Sequence, residues 1–179
     1  MKILAICGSL RAASSNRVAL EAAALLAPSG VQVVLYEGLA DLPAFNPDFD
    51  DAPPPAAAAL RAWVSASDAV LISSPEYAHG VAGAMKNALD WLVGSLDFDG
   101  TPVALVNTSP RATLAQAQML ETLRTMSAQV VKAACIELPL MGRGLDAAGV
   151  AADPALSAAL RPAVQALAEA AAVRSAVSR

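Results

Sequence analysis

The sequence predicts an α/β fold: a five-stranded parallel sheet with helices on both faces, a three-layer sandwich. Three observations lead there. Short, nearly continuous apolar runs alternate with segments of helical pattern, which is how parallel strands buried on both faces read. Polar loops at 8–16, 74–80 and 108–111 each follow a predicted strand. An apolar fraction of 56% and a charged fraction of 16% over 179 residues suit one compact domain, 1–179, with a core of its own.

Lys2 to Cys7 is the first strand, and Gly8 to Arg17 is a polar loop. A helix follows from Val18 to Leu26, with Val18, Ala22, Leu25 and Leu26 as its apolar stripe. Pro28-Ser29-Gly30 ends it, and Val31 to Tyr36, rich in β-branched residues, is the second strand. Glu37 to Pro55 is irregular, with Pro43, Pro47 and three prolines at 53–55, and acidic at Asp48, Asp50 and Asp51. It reads either as a surface connection or as a wall beside a ligand. Ala56 to Ala66 is a helix and Ala69 to Ser73 the third strand. The second polar loop leads into a helix over Val81 to Val93, with Met85, Leu89 and Leu92 on one face. Val103 to Asn107 is the fourth strand, Ala112 to Ser127 a helix, and Val130 to Leu138 the fifth strand. A turn around Gly142 and Gly144 precedes Asp153-Pro154, which starts the last helix as N-cap and first helical residue. Pro162 predicts a kink or a restart near 158–161.

With right-handed crossovers the strand order 2-1-3-4-5 follows, and the ligand edge lies beyond the strand C-termini. All three polar loops meet there. A net charge of −4 with no basic block argues against a nucleic-acid partner. The N-terminal apolar run is too short for a signal peptide, and Arg, Asp, Pro or Gly interrupts every long apolar run; no membrane span and a soluble cytoplasmic protein are expected. Cys7 and Cys135 fall in different predicted strands, with two strands between them. They read as free thiols.

The first loop delivers backbone N–H groups to a helix N-terminus, where the dipole favours an anion. Ser9, Ser14 and Ser15 add O–H donors, Asn16 an N–H donor and Arg11 a planar cation. The loop therefore either holds a phosphate, as of a cofactor, or simply caps the helix. Several α/β classes drop out. The three-glycine dinucleotide turn and the Gly-Lys-Ser/Thr of a P-loop are absent. Acidic residues to hold magnesium do not stand at the first strand's end, and no serine is set between glycines as in a hydrolase. One histidine and two distant cysteines build no zinc site. A hydroxyl-rich phosphate loop of flavodoxin type survives.

Gly8-Ser9-Leu10-Arg11, Ser14 and Asn16, followed by Pro75-Glu76-Tyr77 and by Lys86-Asn87-Ala88-Leu89-Asp90-Trp91, resemble the NADPH-dependent FMN reductase family, which includes quinone, chromate and azo-dye reductases. The resemblance covers about residues 2 to 138. It implies a flavodoxin-like fold and FMN as cofactor, with the phosphate on Ser9, Arg11, Ser14 and Asn16, to which the loop's own chemistry adds Ser15. It places Pro75, Glu76, Tyr77 and Ala78 along the flavin ring, with Thr108 and Ser109 closing the other side. It implies NADPH or NADH as reductant, a quinone, chromate, azo or flavin-type acceptor, and a homodimer or homotetramer. The chain departs from the family pattern at Ala78, where asparagine is usual, at Ala82, where proline is common, and at Ser109-Pro110-Arg111 in place of a glycine pair. Loss of the asparagine contact costs on the order of 1 kcal/mol.

The middle loop has its own physics. Tyr77 either stacks on a flat ligand or packs the loop down, and Pro75 fixes the backbone beside it. Glu76 is a ring contact or an interface charge. His79 faces solvent or an interface, with proton donation to an acceptor as the sharper alternative. Arg111 either reaches the ring or a second substrate, or is a solvated cation at a helix start. Lys86 and Asp90, four apart, form a surface ion pair, and Trp91 with Leu92 marks a packed face. The expected function is an FMN-dependent NAD(P)H oxidoreductase with no catalytic side chain and no metal. The alternatives are a flavodoxin-like electron carrier and a flavin-free binding protein on the same fold.

Overall fold

Strand Lys2–Cys7 has both faces covered, and its alternate side chains enter two different cores. The structure, a computed structural model, describes residues 1–95 and 98–177. Its elements are β1 (Lys2–Cys7), α1 (Ser15–Leu25), β2 (Gln32–Leu35), α2 (Pro55–Ser65), β3 (Ala69–Ser73), β4 (Glu76–Tyr77), β5 (Gly80–Val81), α3 (Gly83–Val93), β6 (Pro102–Asn107), α4 (Thr113–Thr125), β7 (Gln129–Val130), β8 (Ile136–Glu137), α5 (Ala147–Ala152) and α6 (Pro154–Val177). The main sheet is parallel in the order β2-β1-β3-β6-β7, with β8 also on β6. This is the predicted 2-1-3-4-5 winding. Ile3, Ala5 and Cys7 pack with the alanines of α1 and with Leu160, Val164 and Leu167 of α6. Leu4, Ile6, Val70 and Ile72 pack with α2, α3 and α4 on the other face.

The fifth strand is not the single run Val130 to Leu138. It pairs with β6 twice, at Val103↔Val130 and again at Val106↔Ile136. Between the two ladders a 3-10 turn, Lys132–Ala134, takes up three extra residues on this side. Lys132 and two alanines are weak strand formers, and such an interruption is tolerated at a sheet edge. Cys135 follows that turn and lies outside any strand. Both cysteines are free.

Other boundaries also shift. α1 begins at Ser15 and α4 spans 113–125. α3 begins at Gly83, because residues 76–81 first fold into an antiparallel hairpin. An unpredicted short helix, α5, is capped by Asp146, whose Oδ1 accepts from Gly149 N at 2.7 Å. Asp153 caps α6 as expected, accepting from Ala155 N and Leu156 N. α6 then runs through Pro162 without restarting. Leu160 and Val164, on either side of the proline, are fully buried.

The stretch Glu37 to Pro55 contributes nothing to the ligand pocket described below; it is a surface connection strapped onto α3. Asn87 Oδ1 accepts from Phe45 N at 2.8 Å, while Asn87 Nδ2 and Trp91 Nε1 both donate to the Pro43 carbonyl. Phe45 meets Trp91 edge-on at 5.1 Å. Arg61 donates to the Trp91 and Asp50 carbonyls and pairs with the Asp50 carboxylate. The packed face of Trp91 is thus turned to its own chain, and the indole is fully buried. Lys86 and Asp90 pair at 2.5 Å on the exposed side of the same helix. No helix among the described residues is long and apolar enough to cross a membrane. Replacing Trp91 by Ala removes this anchor and leaves a cavity, and should destabilise the fold by about 3–5 kcal/mol, read from the urea unfolding midpoint.

Candidate cofactor-binding site

Backbone approach at the end of β1 builds the first loop. Gly8 N donates to Ser73 O at 2.8 Å, and a Cβ at Gly8 would stand 2.2 Å from Ser74 Oγ. Only glycine lets the two strand exits lie this close. The chain then turns. Ser9 Oγ accepts from Arg11 N at 3.4 Å, and Ser14, extended at φ −117°, caps α1 by accepting from Arg17 N. Both hydroxyls accept these bonds; the Ser9 proton stays available to a ligand, while the Ser14 hydroxyl also meets the Cys7 thiol. The N–H groups of Ser15 and Asn16 lie in the first helical turn, where no intrahelical carbonyl reaches them. Capping and anion binding therefore coexist in this loop.

Asn16 and Ser15 do more than face a ligand. Asn16 is buried, and its Oδ1 accepts from Ser73 Oγ at 2.9 Å and from Thr108 Oγ1 at 3.2 Å. The Ser73 hydroxyl also points at the Val106 carbonyl, 2.7 Å away, and shares its one proton between the two. Ser15 Oγ and Thr108 Oγ1 lie 3.0 Å apart, and either hydroxyl can donate to the other. The Asn16 NH2 remains as that residue's donor to the pocket. Cys7 lies beneath this loop, and burial pushes its thiol above the ordinary range.

The second loop is a hairpin, and its two tip residues carry the strain. Ala78 and His79 sit at φ 49° and 59°, the left-handed region that disfavours side chains. α4 holds the hairpin in that shape. Gln118 Oε1 accepts from Val81 N, and its Nε2 donates to the His79 carbonyl. Glu76 Oε2 accepts from Ala115 N at 2.8 Å, and its Oε1 lies 3.3 Å from His79 Nδ1. Glu76 thus caps α4, whose own N-cap, Ala112, supplies no side chain for it. The Ala115 N–H is the main cause that holds the Glu76 carboxyl below 4.5; desolvation opposes it and His79 adds to it. His79 faces solvent, its side chain 83% exposed.

The three loops enclose one cavity of about 670 Å³. Ser9, Arg11, Ser14, Ser15 and Asn16 line it from the first loop, and Pro75, Glu76 and Tyr77 from the second. Thr108, Ser109 and Arg111 line it from the third. Ala78 does not; it stands at the hairpin tip, exposed. The sequence reading missed Ser74, Asn107 and a fourth wall from Leu140 to Leu145. That wall is pinned by Leu140 N, which donates to the Thr108 carbonyl at 3.1 Å. Its signal was the glycine-rich turn after the fifth strand, which the strand-end rule places on the same edge.

The winding, the hydroxyl-rich first loop and the convergence of strand exits define a flavodoxin-like protein. An archaeal flavodoxin structure shares that fold, with a TM-score of 0.61 at 15% identity over 95% of this chain and 99% of that one. The chain belongs to the NADPH-dependent FMN reductase family, whose model matches residues 1–139. It is similar to an NAD(P)H-dependent FMN reductase of Pseudomonas aeruginosa, 38% identical over 112 residues, 61% of this chain and 60% of that protein. A quinone reductase of Pseudomonas putida is 40% identical over 116 residues, 62% of this chain and 61% of that protein. The chain thus spans about 60% of the length of these curated relatives. Among solved structures, FerB, a flavoenzyme NAD(P)H:(acceptor) oxidoreductase from Paracoccus denitrificans, superposes with a TM-score of 0.84 at 28% identity, over 96% of this chain and 97% of that one.

The Glu76 cap predicts a pH dependence. A carboxyl depressed in the folded state adds stability that is complete above its unfolded value and is lost as pH falls through the folded one. The stability difference between the wild type and Glu76→Gln should be constant near neutrality, then shrink below pH 4.5 and vanish in stronger acid. Urea midpoints of both proteins across that range measure it.

Proposed function

We propose that this chain is an FMN-dependent NAD(P)H oxidoreductase that passes electrons to a small-molecule acceptor of quinone, chromate, azo or flavin type. The observation that carries the proposal is the shared pocket of the three strand-exit loops. It has free donors on the first loop and an aromatic side chain on the second. Its volume of about 670 Å³ lies within the about 300–1,000 Å³ of ordinary cofactor sites. The donor set fits a phosphate monoester: the Ser9 and Ser14 hydroxyls, the Asn16 NH2, first-turn N–H groups and Arg11, which has no ion pair among the described residues.

FMN, when bound, supplies the hydride and electron chemistry. The chain's residues do the rest. The first loop fixes the phosphate. Tyr77, 53% exposed over the pocket, offers a ring face to a flat ligand. Ser109 and Thr108 bound the opposite side. Glu76 holds the hairpin against α4 and keeps the slot open to a second planar molecule. No side chain serves as acid or base. We further infer one FMN-binding domain over 1–179, a homodimer or homotetramer, and work in the cytoplasm; the family resemblance, over residues 1–139, supports the domain and the oligomer.

The purified protein should be yellow or take up FMN, release it on denaturation, bleach anaerobically with NADPH or NADH, and turn over with menadione. Arg11→Ala should weaken FMN about tenfold, the worth of one charge-assisted hydrogen bond. A colourless protein that ignores added FMN contradicts the proposal. A protein that binds FMN but does not turn over is an electron carrier instead.

A further inference from the structure

Two of the loops carry the same three-residue pattern. Ser9-Leu10-Arg11 follows β1 and Ser109-Pro110-Arg111 follows β6. In each, the serine Oγ accepts from the arginine N–H, at 3.4 Å in both. Both arginines line the cavity, from strands with β3 between them. Neither guanidinium has a carboxylate partner among the described residues. Arg111 Nη2 rests 3.1 Å from Met141 Sδ, a weak acceptor. Glu76, the one carboxylate that lines the cavity among the described residues, is committed to Ala115 N and His79. A chain of net charge −4 thus concentrates two unpaired cations in one cavity, which focuses a positive field there. The phosphate of the proposed cofactor accounts for Arg11, which shares its loop with the other donors. Arg111 is left over. Its position is not one that stability would select, because it directly precedes the N-terminus of α4, where the helix dipole disfavours a cation.

We propose that Arg111 is a specificity-determining residue that recognises a negatively charged substituent, a carboxylate or sulfonate, on an aromatic electron acceptor. This rests on the flavin reading of the pocket. The guanidinium presents a planar fork of N–H donors that matches either group. Met141 supplies the apolar contact beside it. The phosphates of the pyridine nucleotide share the anionic chemistry, so the test separates the two sources.

FMN-loaded wild type, Arg111→Gln and Arg111→Lys are compared with naphthoquinone and naphthoquinone sulfonate as acceptors, and with NADPH and NADH as reductants. In Arg111→Gln, kcat/KM for the sulfonate should fall about fivefold through KM, the worth of one partly screened charge-assisted contact. The neutral quinone, FMN affinity and both reductants should stay unchanged. Arg111→Lys should recover part of the loss. Independently of turnover, redox-inert naphthalene sulfonate should perturb the flavin spectrum of the wild type, with an apparent Kd raised by the same factor in Arg111→Gln. Equal losses for both quinones, or no loss, overturn the proposal. A rise confined to the KM for NADPH overturns it too and assigns the charge to the reductant. A wild type that takes up no FMN overturns this proposal and the functional reading together, whereas FMN binding with normal menadione turnover keeps the second when the first fails.

Discussion

One buried knot of hydroxyls and an amide holds the ligand edge together. Asn16 in the first turn of α1, Ser73 at the end of β3 and Thr108 just past β6 share hydrogen bonds around a single carbonyl oxygen. Ser15 and the Val106 carbonyl complete the ring. All of these groups are wholly or partly shielded from water, so each bond is stronger than at the surface and each lost partner is costly. Strands alone leave their exit loops free to splay. This knot, with the close pass of Gly8 over Ser74, fixes the first and third loops relative to β3, and the pocket exists because of it.

The second loop is held differently, from outside. Its hairpin carries two consecutive non-glycine residues at positive φ, a shape that costs energy wherever nothing supports it. α4 supplies the support through Gln118 and through Ala115, whose N–H Glu76 accepts. The same contact satisfies the open end of α4. Glu76 therefore serves the protein, and the negative charge it brings to the pocket is already spent. That leaves a cavity whose unpaired charges are both positive. An electron-transfer site for anionic or phosphate-tailed molecules needs little more from its electrostatics.

The winding and the meeting of the loops were legible in the sequence, because they follow from strand periodicity and from the rule that ligands sit at strand C-termini. The phosphate loop was legible as residue types, and its five polar members do line one cavity. What each hydroxyl does was not. Ser15 meets Thr108, a partner 93 positions away, and no local pattern encodes that. The broken fifth strand escaped because Val130 to Leu138 keeps an apolar profile through the turn, and only the register with β6 exposes the extra residues. The hairpin over 76–81 was missed for a related reason. Its first turn residue, Ala78, is not one that favours positive φ, and the turn is held in shape by α4. Trp91 was read correctly as packed, but its partner, the Pro43 carbonyl, belongs to a stretch without periodicity.

The central claim is that three separate strand exits grip one molecule at once. Amide chemical shifts during titration with FMN test it most directly. Residues 9–16, 75–77 and 108–111 should all shift, along one saturation curve and with one apparent Kd. Shifts confined to a single loop, or loops that saturate at different FMN concentrations, would show that no shared pocket exists.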